Sequence, residues 1–166
     1  QRIYKMKIAL APIASKNSQV LILGTMPGEQ SLLQQQYYAN KGNHFWKILF
    51  QIYNQDFSTD YQIRTELILK NNLALWDVLN SCEREGSLDS KIKNEIPNDF
   101  SDFLKNHPDI STIVFSSKAA EAYFKKYISP LPSLKYFTLP SPSGANAHLT
   151  LAQKTEIWLE LHSYFK

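Results

Sequence analysis

The stretch VLILGTMPGEQSLLQQQYYANKGNHFWKILF, residues 20–50, decides the fold of this 166-residue chain. It opens with a continuous apolar run, residues 20–23, which is typical of a strand buried on both faces. A Gly-Pro-Gly turn at residues 24–28 ends that strand, and apolar residues at helical spacing predict a helix over residues 44–53. Ligands of open α/β sheets bind at the carboxyl ends of the strands, so this turn is the first candidate for a functional site. The alternative is an ordinary strand-to-helix connection, because the turn carries neither a dinucleotide fingerprint nor a phosphate-binding lysine.

The rest of the chain repeats the alternation of strand and helix. Further strands are predicted at residues 73–78, 110–115 and 135–139, and helices at residues 30–37, 59–70, 99–106, 118–127 and 151–165. Residues 8–13 form a lead-in to the first buried strand, and residues 83–96 form a turn that feeds a short helix capped by Ser87 or Asp89. This order predicts one domain over residues 1–166, a three-layer α/β/α sandwich around a four-stranded parallel sheet.

Composition excludes several classes of protein. A single cysteine rules out an intramolecular disulfide and fits a reducing cytoplasm, and no metal-binding sequence motif is present. No apolar run is long enough for a membrane span and no signal peptide opens the chain, so we expect neither membrane insertion nor export. The net charge of +3 is compatible with a nucleic-acid partner without requiring one.

The carboxyl ends of the four predicted strands should converge on one cleft. They carry a hydroxyl-rich rim and one acid, Asp77, beside a loop that contains Asn40 and Asn43. No serine nucleophile elbow and no second carboxylate spaced for glycoside chemistry accompany them. Any chemistry in such a cleft must therefore use amides, one carboxylate and backbone dipoles.

Several motifs carry a resemblance to a known family. GTMPG, YYANKGNHFW, ALWDVLNSCEREGSLDS and LPSPSGANA follow one another over about residues 18–160. In this order and spacing they resemble the hypoxanthine-DNA glycosylase branch of the uracil-DNA glycosylase superfamily. The resemblance implies a monomeric, monofunctional enzyme that needs no cofactor or metal and removes deaminated bases, above all hypoxanthine, from double-stranded DNA in a prokaryotic cytoplasm.

The resemblance also implies roles for individual residues. Asn40, with Asn43 as the second choice, would position the attacking water, and Asp77 would read the base. Asp77 as a helix cap or surface acid, and the Ser-Pro loop as a plain turn, are the alternatives. The implied base pocket consists of Gly24, Thr25, Met26, Pro27, Phe45, Asp77 and Ser116, with Phe45 stacking on the base. The implied DNA contacts are Ser141, Pro142, Ser143, Gly144, Ala145, Asn146 and Lys118, with Lys154 as a further phosphate ligand.

Two departures keep other functions open. Met26 stands where the mismatch-specific uracil-DNA glycosylases have a catalytic Asn, and Ser116-Ser117 stands where the hypoxanthine branch has Asn-Gly. The same fold could therefore serve a uracil or xanthine glycosylase, or a DNA-binding member without catalytic activity.

Overall fold

The computed structural model describes residues 6–166, so the start of the predicted domain, residues 1–5, lies outside the described residues. The strands in chain order are β1 (Met6–Ile8), β2 (Val20–Gly24), β3 (Leu73–Asp77), β4 (Leu79–Glu83), β5 (Lys93–Pro97), β6 (Thr112–Phe115) and β7 (Lys135–Thr138). The α-helices are α1 (Glu29–Gln34), α2 (Phe45–Ile52), α3 (Tyr61–Lys70), α4 (Phe100–Asn106), α5 (Lys118–Tyr127) and α6 (Leu151–Trp158).

The predicted four-stranded parallel sheet is confirmed. Its order is β3-β2-β6-β7, and all three pairings are parallel. Every residue of β2 is buried, because this strand lies inside the sheet and is covered on both faces. In the shared register Val20 pairs with Leu73 on one side and with Thr112 on the other, so the strands end at a common edge.

Two apolar clusters cover the two faces of this sheet. One cluster combines Val20 and Ile22 with the buried side chains of α2, α3 and α6. The other combines Leu21 and Leu23 with those of α4 and α5. Alternate residues of one strand therefore enter opposite layers, which gives the predicted α/β/α sandwich.

A second sheet was not predicted from the sequence. It is antiparallel, with the order β1-β4-β5. The prediction of a short helix in residues 83–96 is wrong, since β4 extends to Glu83 and β5 begins at Lys93, with only a 3₁₀ turn at Asp89–Lys91 between them. The sequence KNEIP of β5 is polar and mostly exposed, so it lacks the apolar pattern by which strands are recognised.

The two ends of the chain also differ from the prediction. Residues 8–13 do more than lead into β2, because Ile8 ends β1 and Ile13 forms an isolated antiparallel bridge with Leu75. The closing α-helix is shorter than predicted, since it ends at Trp158 and continues as a 3₁₀ helix, Leu159–Tyr164. Among residues 6–166, no helix has the length and apolar character needed to cross a membrane.

The buried β2 strand should dominate the stability of the fold. We expect Ile22→Ala to lower the free energy of unfolding by about 2–5 kcal/mol, because it leaves a cavity between the sheet and its helices. Ile22 has no exposed surface, whereas Ile63 on α3 is 45% exposed. The control Ile63→Ala should stay within about 0.5 kcal/mol of the wild type in urea unfolding. Equal losses for the two variants would contradict this assignment of the core.

Candidate active site

A cleft of about 690 Å³ lies at the carboxyl ends of the parallel strands. Most of the predicted site residues line it together, although they come from five separate segments of the chain. They are Gly24, Thr25, Met26, Pro27, Asn40, Asn43, Asp77, Ser116, Ser141, Pro142, Ser143, Gly144, Ala145 and Asn146. Two predicted residues do not line the cleft: Phe45 is buried behind it, and Lys118 is exposed on the first turn of α5.

The turn at residues 24–28 is held from behind through its carbonyl oxygens. The Gly24 oxygen accepts from Val78 N at 2.8 Å and the Thr25 oxygen from Leu79 N at 3.1 Å, while the Pro27 oxygen accepts from the guanidinium of Arg84. Protein donors thus occupy these three oxygens and hold the turn in place.

Gly24 brings β2 very close to Asp77 on β3. A Cβ atom at position 24 would lie 2.6 Å from Asp77 Oδ1, which is too close for any side chain. The Asp77 carboxyl group is therefore packed directly against the backbone at the start of the turn. Any residue with a Cβ atom at position 24 would displace this carboxyl group.

Asp77 is the buried acid of the cleft. It is 5% exposed, and its Oδ2 atom has no hydrogen-bond partner within residues 6–166. The pKa of Asp77 is raised to about 7, because burial and, to a smaller extent, the negative charge of Asp89 outweigh the opposing positive charge of Arg84. The carboxyl group can therefore change its ionisation near neutral pH, and its Oδ2 atom is buried without a hydrogen-bond partner among the described residues.

Asn40 and Asn43 lie in the loop between α1 and α2. The Asn40 side chain is exposed and its Oδ1 accepts from Gly42 N at 2.8 Å. Asn43 is half-buried, and its Oδ1 accepts from Phe45 N at 2.9 Å, the first N–H group of α2, whose N-cap residue is His44. Both asparagines thus bind a backbone N–H two residues further on, and Asn40 differs in that its side chain is exposed where it lines the cleft.

The Ser-Pro loop, residues 140–147, closes the cleft on the side of β7. Ser141 Oγ accepts from Ser143 N and Ser143 Oγ accepts from Ala145 N, both at 3.2 Å. Each hydroxyl group uses its oxygen within the loop and keeps its hydrogen for an outside acceptor. Within the loop, Asn146 Nδ2 donates to Ser141 O at 3.0 Å.

Lys154 joins the two loops of the cleft. The sequence suggested a phosphate contact for it, but the side chain is fully buried. Its ammonium group donates to Ser143 O at 3.0 Å and lies 3.4 Å from His44 Nδ1. His44 N in turn donates to Pro142 O at 2.8 Å. Burial lowers the pKa of Lys154, and burial together with Lys154 and Lys47 lowers the pKa of His44.

The aromatic wall of the cleft differs from the expectation. Phe45 has no exposed surface, because Tyr38 stacks on it with ring centroids 3.8 Å apart and planes 14° apart. The face that Phe45 would offer to a base is thus already taken in this structure. Tyr38 itself lines the cleft.

Sequence reasoning missed Tyr38, Arg84 and Asp89 as parts of this site. All three stand inside the motifs on which the family resemblance rests, and that is the only signal in the sequence that could have found them. In the part of the chain that the structure describes, no group of three or more His, Cys, Asp or Glu side chains is placed to bind a metal ion.

Known proteins match this chain over nearly its whole length. A hypoxanthine DNA glycosylase of Methanosarcina barkeri is 36% identical over 157 residues, covering 93% of this chain and 96% of the relative. A hypoxanthine DNA glycosylase of Methanosarcina acetivorans is 35% identical over 147 residues, covering 87% and 90%.

The same relationship is found in structure. The solution NMR structure of a candidate uracil DNA glycosylase from Methanosarcina acetivorans superimposes with a TM-score of 0.75 at 30% identity, covering 95% of this chain and 99% of that one. The model of the uracil DNA glycosylase superfamily matches residues 11–162. The family predicted from the motifs is thereby confirmed: the chain belongs to the uracil DNA glycosylase superfamily.

Proposed function

We propose that this chain is a monofunctional DNA glycosylase that hydrolyses the N-glycosidic bond of deoxyinosine and releases hypoxanthine. The observation that carries the proposal is the unpaired, buried Asp77 carboxyl group in the cleft. A buried polar atom without a partner costs free energy unless a ligand or water satisfies it. The names of the two Methanosarcina relatives support the same substrate.

The substrate follows from the hydrogen-bonding pattern of the base. An ionised carboxylate only accepts hydrogen bonds, and hypoxanthine presents an N1–H donor where adenine has an unprotonated acceptor. Asp77 would therefore bind the deaminated base and repel the normal one. Because Asp77 lies deep in the cleft, the base must first leave the helical stack, and this extrusion is cheapest for a mispaired base.

The reaction adds water across the bond between C1′ and N9. As the bond breaks, the sugar gains positive charge and the base leaves with the electron pair, to be protonated afterwards. Asn40 would hold the water through its amide, and the N–H groups of the turn at residues 24–28 would stabilise the negative charge on the base. None of the residues that line the cleft is a lysine, so no amine is placed to form a Schiff base within the described part of the chain.

The DNA would bind along the Ser-Pro loop. Ser141 and Ser143 each have a hydroxyl hydrogen free to donate to a phosphate, and Gly144, Ala145 and Asn146 would enter the gap left by the extruded nucleotide. Lys118 would add a more distant phosphate contact. The proposed enzyme acts on double-stranded DNA as a monomer.

Uracil is the strongest alternative substrate. Its N3–H group could also donate a hydrogen bond to the Asp77 carboxylate. The same carboxylate could therefore bind the polar edge of either base. Duplexes with inosine, uracil or xanthine at one position, treated with alkali after incubation, separate these substrates. The absence of product from all three would refute the enzyme proposal and leave a DNA-binding protein.

The roles of the two asparagines can be separated by substitution. We expect Asn40→Ala to lower the single-turnover rate on inosine by about 10²-fold or more, because the water loses its positioning group. Asn43→Ala should instead lower the free energy of unfolding by about 1 kcal/mol, because the first N–H group of α2 loses its hydrogen-bond partner. DNA affinity measured by fluorescence anisotropy provides the control. If binding persists and neither variant is slower, the proposed mechanism is wrong.

The activity should depend on pH through Asp77. Because burial raises the pKa of Asp77 to about 7, the ionised fraction falls as the pH drops below neutrality. The single-turnover rate on inosine should therefore decrease about tenfold between pH 8 and pH 6, in proportion to the carboxylate. Asp77→Asn cannot ionise, so its residual rate should lack this pH dependence. A wild-type rate that rises towards acidic pH would contradict the role of the carboxylate.

A further inference from the structure

Lys154 fixes the hydrogen-bonding state of His44. The lysine has no exposed surface, and its ammonium group lies 3.0 Å from Ser143 O and 3.4 Å from His44 Nδ1. An ammonium group has only hydrogens to offer, so His44 Nδ1 must accept the hydrogen bond. The imidazole is therefore neutral and carries its hydrogen on Nε2. The neutral form agrees with the lowered pKa of His44, which burial and the positive charges of Lys154 and Lys47 cause.

The Nε2–H group of His44 is free to bind a ligand. The two nitrogens of an imidazole point in different directions, so Nε2 does not face the ammonium group when Nδ1 does. Within residues 6–166, Nε2 has no hydrogen-bond partner, and it is not one of the buried polar atoms that lack a partner. Solvent therefore reaches this donor, although the residue as a whole is half-buried.

His44 lies beside the two serines that the proposed function assigns to DNA phosphates. Its backbone N donates to Pro142 O at 2.8 Å, in the middle of the segment Ser141-Pro142-Ser143. Ser141 and Ser143 line the cleft, whereas His44 does not. A base held in the cleft would therefore be out of reach of the imidazole. The backbone of the same DNA strand, which must run past the serines, would be within its reach.

The charges around His44 suit an anion. Lys47, on the first turn of α2, is exposed, and Lys154 is buried, and both positive charges act on the imidazole. A phosphate at Nε2 would thus accept a hydrogen bond from a neutral donor and lie in the positive potential of two lysines. Lys154 cannot make such a contact itself, because its ammonium group is buried.

We propose that His44 is a DNA-binding residue: its Nε2–H group donates a hydrogen bond to a backbone phosphate next to the Ser-Pro loop, in the tautomer that Lys154 fixes. The inference rests on the proposed function, because it adds a third donor to the two serine hydroxyl groups that would bind the same strand. Contacts to phosphates fix the position of a protein on DNA and do not read the bases. His44 therefore contributes to the affinity for any duplex that enters the cleft, with or without the base.

Nitrogen-15 NMR of the free protein tests the tautomer. At neutral pH, the His44 Nε2 signal should be that of a nitrogen with a hydrogen, and the Nδ1 signal that of a nitrogen without one. Lys154→Met removes the ammonium group and should raise the pKa of His44, because this positive charge no longer opposes protonation. A hydrogen on Nδ1 in the wild type, or an unchanged pKa in the variant, would overturn the proposal.

DNA binding tests the phosphate contact. One duplex contains 2′-fluoro-deoxyinosine, whose fluorine slows bond cleavage, and the other contains a tetrahydrofuran residue, which has no base. His44→Ala should weaken binding to both duplexes about tenfold, because a hydrogen bond to a charged group is lost. His44→Gln, whose side-chain amide can still donate, should retain most of the affinity. In a series of duplexes with one methylphosphonate each, the wild type should lose affinity at one position where His44→Ala loses none.

His107→Ala serves as the matched control, because His107 precedes β6 and so lies at the amino ends of the strands, away from the cleft. It should change neither affinity, and thermal unfolding shows whether each variant is folded. A His44→Ala variant that binds like the wild type, or that loses affinity at the same methylphosphonate positions, would overturn the phosphate contact alone. A wild type that binds inosine no more tightly than undamaged DNA refutes the proposed function instead, and the baseless duplex then still decides the contact of His44.

Discussion

The cleft depends on the contacts that the buried guanidinium group of Arg84 makes. Its side chain has no exposed surface, it donates to the Pro27 carbonyl, and its Nη1 lies 3.6 Å from Asp89 Oδ1. The same charge opposes the rise in the pKa of Asp77 that burial causes. Without a cation here, the buried Asp77 and the partly exposed Asp89 would repel each other, and both would favour the protonated form. One side chain therefore shapes the turn and keeps the neighbouring carboxyl group able to ionise near neutrality.

Arg84 reaches this position through the sheet that the sequence did not predict. It follows directly on β4, whose antiparallel partners are β1 and β5. The three buried parallel strands, β2, β3 and β6, were predictable because continuous apolar runs need two covered faces, and few other structures provide them. The small sheet carries no such pattern, since its β5 strand is polar and its identity comes from pairing across the fold. Local sequence thus predicted the scaffold of the cleft and missed the element that holds its turn.

The candidate site also has a part that local sequence could predict and a part that it could not. Asn40, Asp77 and the Ser-Pro loop were predictable as neighbours because they follow the carboxyl ends of parallel strands, and those ends meet at one edge. The order of the rings in the aromatic stack was not predictable, because it depends on side-chain packing: Phe45 begins a helix and is drawn into the core, which leaves Tyr38 at the surface of the cleft. The burial of Lys154 was not predictable either, since an isolated lysine in a helix usually lies in solvent.

The surroundings of Lys154 explain how its ammonium group can be buried. A buried ammonium group is costly unless it is satisfied, and here the Ser143 carbonyl and the His44 imidazole satisfy it. Because the ammonium can only donate, His44 Nδ1 must accept, which requires the neutral imidazole that its lowered pKa favours. A backbone contact reinforces the tie, since a Cβ atom on Gly144 would lie 2.7 Å from the Gly42 carbonyl. The loop that presents Asn40 and the loop that presents Ser141 and Ser143 are thus joined directly by these contacts. In the proposed enzyme, binding of the phosphates by the Ser-Pro loop would therefore also fix the position of Asn40 and of the water that it holds.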